Sequence, residues 1–298
     1  MSEVLKLVDI WKIYGSGGNK IAVLKGINLS IKRGELVIIM GPSGSGKSTL
    51  LSIIGTLDRP TKGKVYIGGV NVTSLNEDEL VLFRSRRIGF VFQSYNLIKN
   101  LTALENVMLP MILSRLYDVK EAEKKALELL KLVGLGKHAH KFPKQMSGGQ
   151  QQRVAIARAL ATDPDLILMD EPTGNLDLKS SAQVVSLIKW LNEVYGQTFL
   201  IVTHNPELVE VATRVLYIRD GRIYENPPKQ LLAVKLKEEL AKMEKSSTVR
   251  EAQLKLLEIK AQALKRLALT GSISESRLRE ELEYLRLRVS KLESLVSK

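Results

Sequence analysis

The chain has 298 residues, a formal net charge of +13, 44% hydrophobic residues and no cysteine. Its length predicts one sizeable domain with an appendage, or two small domains. The absence of cysteine excludes a disulfide framework, a thiol nucleophile and zinc sites of the cysteine type. The first residues do not read as a signal peptide, and no apolar run of about 18 residues predicts a membrane-spanning helix. The basic charge permits nucleic acid, an anionic membrane face or phosphate-rich ligands as partners.

Short apolar runs alternate with amphipathic stretches as far as about residue 226. The runs predict strands over 36–40, 64–67, 88–92, 166–169, 199–203 and 215–219. Between them, residues 180–195 keep one apolar stripe and end at Gly196, which predicts a helix. Apolar strands that alternate with helices predict an α/β domain with a largely parallel sheet. The β-rich opening, to about Met40, adds an antiparallel piece to this expectation.

The composition changes after the double proline Pro227-Pro228, and we place a domain boundary there, between 1–226 and 227–298. The second segment has no strand pattern and is rich in Leu, Lys and Glu. Two stretches, 254–268 and 278–296, keep the alternating spacing of three and four typical of coiled-coil seams. A C-terminal α-helical hairpin is the simplest interpretation, and two short helices that dimerise or grip a partner are the alternative.

A phosphate-binding loop follows the strand predicted at 36–40. Residues 41–49 read GPSGSGKST and match G-x-x-x-x-G-K-[ST], between an apolar strand and a helix from Ser48 to about Ile54. Glycines let backbone N–H groups turn toward phosphates, Lys47 reaches the outer phosphates, and the Ser48 hydroxyl binds Mg²⁺. The predicted nucleotide contacts here are Gly41, Ser43, Gly44, Gly46, Lys47, Ser48 and Thr49.

Two adjacent acids and a histidine follow the next buried strands. Asp170 ends one strand beside the loop and can hold Mg²⁺ through its water shell. Glu171 can orient and deprotonate the attacking water. His204 directly follows the strand predicted at 199–203, where it faces the crevice of an α/β sheet. There it can hydrogen-bond the γ-phosphate and hold Glu171 and the water in register. His138 and His140 lack acidic neighbours and receive no role.

A second candidate phosphate site begins the helix at 147–161. Ser147 fits an N-cap with Gln150 in the capping-box position, which leaves Gly148 and Gly149 to expose N–H groups at a positive helix end. A single chain with one phosphate-binding loop does not need a second such site, so this feature calls for an explanation beyond one nucleotide.

With these motifs in order, residues 1 to about 226 resemble an ATP-binding cassette (ABC) ATPase, a P-loop NTPase with a helical subdomain at about 94–160. The resemblance implies ATP and Mg²⁺ as ligands, with Lys47, Glu171 and His204 catalytic and Ser48, Gln93 and Asp170 near the metal. It also implies that Tyr14 stacks on adenine. The sequence MSGGQ, with Met146 in place of leucine, is similar to the family's LSGGQ.

The resemblance answers the question of the second phosphate site. In the family, the helix end at Ser147, Gly148, Gly149 and Gln150 closes on ATP held by another cassette. Two chains packed head to tail therefore enclose two ATP molecules. The segment Asn175-Leu176-Asp177 is implied to cross that interface, with Asp177 among the residues at the nucleotide. The expected partner is a second copy of the chain or a paralogous cassette.

Three further stretches, at 55–65, 100–110 and 173–181, are similar to the macrolide-exporter and lipoprotein-release ATPases of the MacB/LolD type. This resemblance implies a separately encoded membrane permease with an extracytoplasmic domain, driven by a peripheral subunit on the cytoplasmic face of the cell membrane. It implies no direct nucleic-acid partner. The segment 227–298 departs from the subgroup, and it can stabilise a homodimer, dock onto a partner or inhibit the ATPase.

Two other function classes remain open at this point. A soluble ABC protein acting on nucleic acid or ribosomes is favoured slightly by the charge, since residues 229–298 hold 16 basic and 10 acidic side chains. The compact interval between the phosphate-binding loop and Ser147, and the presence of a single cassette, count against it. A membrane regulator that signals without transporting would carry the same ATPase.

Overall fold

The computed structural model describes residues 2–15, 19–225, 279, 282, 283 and 286. Residues 1–225 form one unit, and the description below concerns its described residues. The hairpin expected over 227–298 lies outside the described residues, apart from four isolated positions that are helical. No helix of the described part is both long and apolar enough to cross a membrane.

The strands of this unit are β1 (Glu3–Tyr14), β2 (Ile21–Lys32), β3 (Leu36–Met40), β4 (Lys62–Ile67), β5 (Val70–Asn71), β6 (Ile88–Val91), β7 (Leu166–Asp170), β8 (Phe199–Val202), β9 (Arg214–Arg219) and β10 (Arg222–Tyr224). The α-helices are α1 (Lys47–Ile54), α2 (Glu77–Arg87), α3 (Ala103–Leu113), α4 (Val119–Leu132), α5 (Gly148–Leu160), α6 (Leu178–Glu193) and α7 (Pro206–Val211). Short 3₁₀ turns cover Val72–Ser74, Gly136–His138 and Pro143–Gln145.

The central sheet has the order β10-β9-β3-β8-β7-β6, and only the edge strand β10 pairs antiparallel. All five residues of β3 are buried, as are all four of β8, because helices or a second sheet cover both faces. The carboxyl ends of β3, β7 and β8 therefore meet at one edge. The predicted α/β fold with a largely parallel sheet is confirmed.

A second, antiparallel sheet of order β2-β1-β4-β5 confirms the antiparallel piece expected at the N-terminus. Successive residues of β3 face opposite sides: Leu36 and Ile38 pack toward the helices, whereas Val37 and Ile39 pack toward this second sheet. Helix α1 lies in the second core, so the element that follows the phosphate-binding loop is held between the two sheets.

Residues between β6 and β7 form the predicted helical subdomain of α3, α4 and α5. Helices α3 and α4 each begin with a complete capping box, from Thr102 and Asp118, which satisfies two N–H groups at each start. Helix α6 spans Leu178–Glu193, two residues earlier at each end than expected. It starts early because Asp177 provides its cap.

Candidate nucleotide-hydrolysis site

The phosphate-binding loop joins buried β3 to the N-terminus of α1. Gly46 is the N-cap of α1 at φ +102°, a conformation that L side chains rarely adopt. A Cβ there would stand 2.8 Å from Leu24 Cδ2, and one on Gly41 would stand 2.2 Å from the carbonyl oxygen of Ile218. The two glycines therefore let the backbone turn tightly into the positive end of the helix.

Lys47 is the first residue of α1, and its ammonium lies over the loop. Its Nζ donates to the carbonyl oxygens of Gly41 and Pro42, at 2.8 Å in each case. Burial lowers the pKa of Lys47, and the carboxylates of Glu171 and Asp170 oppose that shift. An anion in the loop would satisfy this charge better than neutral carbonyls do.

Asp170 is the last residue of β7 and faces the loop. Its Oδ2 accepts a hydrogen bond from Ser48 Oγ at 3.4 Å. Burial raises the pKa of Asp170; the hydrogen bond from Ser48 and the charge of Lys47 act against that rise, whereas the neighbouring Glu171 adds to it. A carboxylate in this position gains by pairing with a cation.

Glu171 turns away from Asp170 and toward the end of β8. Its φ of +45° is unusual for a residue other than glycine and marks a strained turn directly after β7. Glu171 Oε2 accepts from Thr203 Oγ1 at 3.0 Å, and Oε1 lies 2.8 Å from His204 Nδ1. The Glu171 side chain is 16% exposed and that of His204 is 78% exposed. The structure thus brings together the acid and the histidine that the sequence analysis expected to act together.

The phosphate-binding loop, Asp170 and Glu171 surround one cavity of about 470 Å³, which neither Thr203 nor His204 lines. Its walls include nine of the predicted site residues: Ser43, Gly44, Gly46, Lys47, Ser48, Thr49, Gln93, Asp170 and Glu171. The cavity fits a magnesium nucleotide by its chemistry, since hydroxyl, carboxylate and amide oxygens are ligands that Mg²⁺ prefers. The buried Ser45 Oγ, in the same loop, has no hydrogen-bond partner among the described residues. Phosphate oxygens would give such a hydroxyl an acceptor.

Tyr14 lies beside the loop, held by three neighbours. Its hydroxyl donates to Asp58 Oδ2 at 2.8 Å and also interacts with the Thr49 side chain. Lys12 Nζ lies 4.9 Å from the centre of the tyrosine ring and 2.6 Å from Asp58 Oδ1. Burial, with Asp58 adding to it, raises the pKa of Tyr14. The Lys12 ammonium therefore stands over one face of the Tyr14 ring as a cation–π contact.

The helix end at Ser147 has the predicted capping box. Ser147 Oγ accepts from the Gln150 backbone N–H at 3.3 Å, and Gln150 Oε1 accepts from the Ser147 N–H at 3.1 Å. Gly149 also has a packing role that the sequence did not reveal, because a Cβ there would stand 2.7 Å from Ser180. Neither Gly148 nor its neighbours line the cavity of the phosphate-binding loop.

Asp177 is the N-cap of α6, a role that the sequence analysis missed. Its carboxylate accepts from the Ser180 backbone N–H at 2.9 Å and from Ser180 Oγ at 2.7 Å. These hydrogen bonds lower the pKa of Asp177. The pattern Asp177-x-x-Ser180 just before an amphipathic run is itself a cap signal.

Two other residues that support the site, Asp58 and Thr203, were also missed, and the contact of Asn175 with Gln93 was not expected. Asp58 lies within the segment similar to the subgroup and Thr203 directly precedes His204, but neither position indicates a contact. Asn175 hydrogen-bonds Gln93, and only the fold brings these two residues together.

Comparisons with known proteins agree with this geometry. The profile of the family described as "ABC transporter" matches residues 24–174. An uncharacterised ABC transporter ATP-binding protein of Thermotoga maritima is 57% identical over 223 residues, which cover 75% of this chain and 94% of that protein. The lipoprotein-releasing system ATP-binding protein LolD 1 of Rhodopseudomonas palustris is 51% identical over 224 residues, which cover 75% of this chain and 99% of that protein.

A solved dimeric ATP-binding cassette from Methanocaldococcus jannaschii, in a post-hydrolysis state with ADP and Pi, matches with a TM-score of 0.67 and 50% identity. That match covers 74% of this chain and 96% of the other. The macrolide export ATP-binding/permease protein MacB of Rhodopirellula baltica is 46% identical over 224 residues, which cover 75% of this chain and 33% of that longer protein.

Proposed function

The chain belongs to the ABC transporter ATP-binding family, and from this membership we propose that it is the motor subunit that drives a separately encoded membrane permease. The chain is an ABC ATPase of the transporter type, similar to LolD and MacB ATPases, and it uses ATP and Mg²⁺.

In the proposed mechanism, Ser48, Asp170 and Gln93 hold Mg²⁺, and Lys47 binds the outer phosphates of ATP. Bound Mg²⁺ supplies charge neutralisation to the phosphates. The positive end of α1 adds backbone N–H donors, so the negative charge of the triphosphate meets fixed donors on several sides.

Glu171 acts as the base toward the attacking water. The water oxygen bonds to the γ-phosphorus, the bond to the β,γ-bridging oxygen breaks, and the water proton passes to the Glu171 carboxylate. Thr203 and His204 each contact one oxygen of that carboxylate, which fixes its direction. ADP and phosphate are the products.

We further propose that two chains pack head to tail. The helix end at Ser147 lies outside the cavity that holds Lys47 and Glu171, so its free N–H groups serve no phosphate within one chain. A second chain would bring that positive end to the γ-phosphate, and the related cassette of known structure is dimeric. The second copy would thereby complete each site.

A surface groove of about 970 Å³ supports a permease partner. Its apolar lining includes Leu57, Val81, Leu82, Phe90 and Leu113, and arginines stand among them. We propose that a cytoplasmic helix of the permease docks here, which would place the chain at the membrane.

One observation carries the proposal: a single segment lines both the nucleotide cavity and the groove. Gln93 faces the cavity, whereas its neighbours Phe92 and Asn96 line the groove. A change at the nucleotide therefore has a short covalent path to the docking surface. The relatives named for lipoprotein release and macrolide export suggest a permease with an extracytoplasmic domain.

The experiment is to purify the tagged chain from detergent-solubilised membranes of its native host and identify the stoichiometric partner. We expect a membrane protein with few transmembrane helices and a large external domain. Leu113→Arg, in the groove, should abolish this association and leave ATP binding intact. Val119→Arg is the matched control, since Val119 is an exposed apolar residue that does not line the groove. Ribosomes, nucleic acid or only soluble proteins in place of the permease would refute the transporter assignment.

A further inference from the structure

Gln93 and Asn175 exchange two hydrogen bonds across the nucleotide cavity's rim. Gln93 Nε2 donates to Asn175 Oδ1 at 3.3 Å, and Asn175 Nδ2 donates to the Gln93 backbone carbonyl oxygen at 3.1 Å. The two residues are 82 positions apart in the chain. Gln93 follows β6 in the segment that lines both cavity and groove, and Asn175 lies between β7 and α6.

This exchange determines which end of each amide faces the other. A backbone carbonyl can only accept, so Asn175 must turn its NH₂ group toward the carbonyl of Gln93. Its Oδ1 is then the atom that remains for the Gln93 side chain, and Gln93 must present its own NH₂ group in return. The reversed orientation of either amide would set two acceptors against each other. The fixed backbone carbonyl therefore dictates the whole pattern.

With Nε2 committed to Asn175, Oε1 is the Gln93 atom that is left for a ligand in the cavity. A cation binds amide oxygen and not amide nitrogen, so a flipped Gln93 amide would present NH₂ to Mg²⁺. Whether Gln93 presents its oxygen or its NH₂ group to the cavity thus depends on Asn175, whose side chain does not line the cavity.

The surrounding packing holds the pair in place. A Cβ on Gly174 would stand 2.8 Å from Gln93 Nε2, so the loop before Asn175 approaches the amide closely because residue 174 is glycine. On the other side, Arg158 donates to the carbonyl oxygens of Tyr95 at 2.9 Å and Asn96 at 2.6 Å. Tyr95 and Asn96 have φ of +63° and +49°, a strained turn that these hydrogen bonds stabilise.

We propose that Asn175 is a positioning residue that orients the Gln93 amide so that its oxygen, not its nitrogen, faces the Mg²⁺ of the bound nucleotide. The inference rests on the proposed role of Gln93 as a metal ligand. It extends that role to the loop that precedes α6, because any displacement of Asn175 would release the Gln93 amide. The metal site and the 174–177 loop are thereby coupled within one chain.

The test measures ADP binding to the full chain by calorimetry, with MgCl₂ and with EDTA. The ratio of the Kd in EDTA to the Kd in MgCl₂ reports how much the metal contributes to ADP binding. Asn175→Leu, which removes both hydrogen bonds at similar volume, should reduce this ratio about tenfold and leave the Kd in EDTA unchanged. Tyr95→Phe is the matched control: it removes a 3.4 Å hydrogen bond to the Asn175 backbone carbonyl but leaves the amide pair intact, so its ratio should equal that of the wild type.

A Gln93→Glu background distinguishes orientation from general damage. Both terminal atoms of glutamate are oxygens, so Asn175→Leu should change the ratio less than twofold in that background. An unchanged ratio in Asn175→Leu alone, or an equal fall in both backgrounds, would overturn the inference while the metal site stands. A wild-type ratio near one would instead refute the metal site of the proposed function, and the inference with it.

Discussion

His204 Nδ1 lies 2.8 Å from Glu171 Oε1, at the carboxyl ends of two adjacent parallel strands. A carboxylate only accepts, so Nδ1 carries the proton of this contact. The other ring nitrogen then donates to a phosphate only when the imidazole carries a second proton. The contact therefore favours a role for His204 as the group that fixes Glu171, with its exposed ring extending toward solvent.

The first prediction concerns Glu171→Gln. The amide keeps the volume and the hydrogen bond from Thr203 but cannot take a proton, so ATP hydrolysis should fall about 10²- to 10⁴-fold. ATP binding should persist, and light scattering should detect an ATP-dependent dimer that the wild type forms only transiently. A variant that stays monomeric with ATP and still hydrolyses it would rule out the proposed base.

The second prediction concerns Thr203, which is buried and donates to Glu171 Oε2. Thr203→Val removes this hydrogen bond and should lower kcat about tenfold, with little change in KM for ATP, because the carboxylate loses its fixed direction. Thr203→Ser keeps the hydroxyl and should retain most of the activity. Steady-state kinetics at saturating Mg²⁺ checks both variants, and equal losses in the two would indicate a packing effect.

The third prediction concerns Asp58, which fixes the Tyr14 hydroxyl and pairs with Lys12. Asp58→Ala should raise the Kd for ATP about three- to tenfold, because the freed ring must be ordered again when the base binds. Binding of inorganic tripolyphosphate, which has no base, should not change. Glu77→Gln is the control, since it weakens an exposed ion pair with Arg59, the residue that directly follows Asp58. An equal loss for both ligands would argue against a base platform at Tyr14.

The sequence predicts those parts of the fold in which a single residue pattern decides the structure. Strands β3, β7 and β8 are runs of apolar residues because the sheet is covered on both faces. Helix α2 was not predicted, because only Leu80 of its eleven residues is buried and the apolar stripe is missing. Strands β5 and β10, of two and three residues, are too short to give a pattern.

The candidate site divides in the same way. The loop residues are consecutive in sequence, and so are the two acids that end β7. The spacing within each motif therefore indicates phosphate and metal chemistry by itself. The residues that aim them are distant: Thr203 reaches Glu171 over 32 positions, Asp58 reaches Tyr14 over 44, and Asn175 reaches Gln93 over 82. Such pairs depend on strand order and loop course, which a residue pattern does not encode.

The last prediction separates stability from function at Asp170. Burial raises the pKa of this carboxyl in the folded chain, so the folded state binds the proton more tightly than the unfolded state does. Without metal, the ionised side chain therefore opposes folding: stability should fall as the pH rises from about the ordinary value of 3.8 through the raised pKa, and the cost persists at neutral pH. Asp170→Asn removes this cost and should raise the Tm in EDTA by about 1–3 °C at pH 7.

The same variant should lose the stabilisation that Mg²⁺ adds to bound ADP, because its neutral amide cannot replace the carboxylate charge. Thermal unfolding with EDTA and with MgCl₂ plus ADP measures both effects. A lower Tm in EDTA would show that the ionised carboxylate, through Ser48 and Lys47, stabilises the metal-free fold instead.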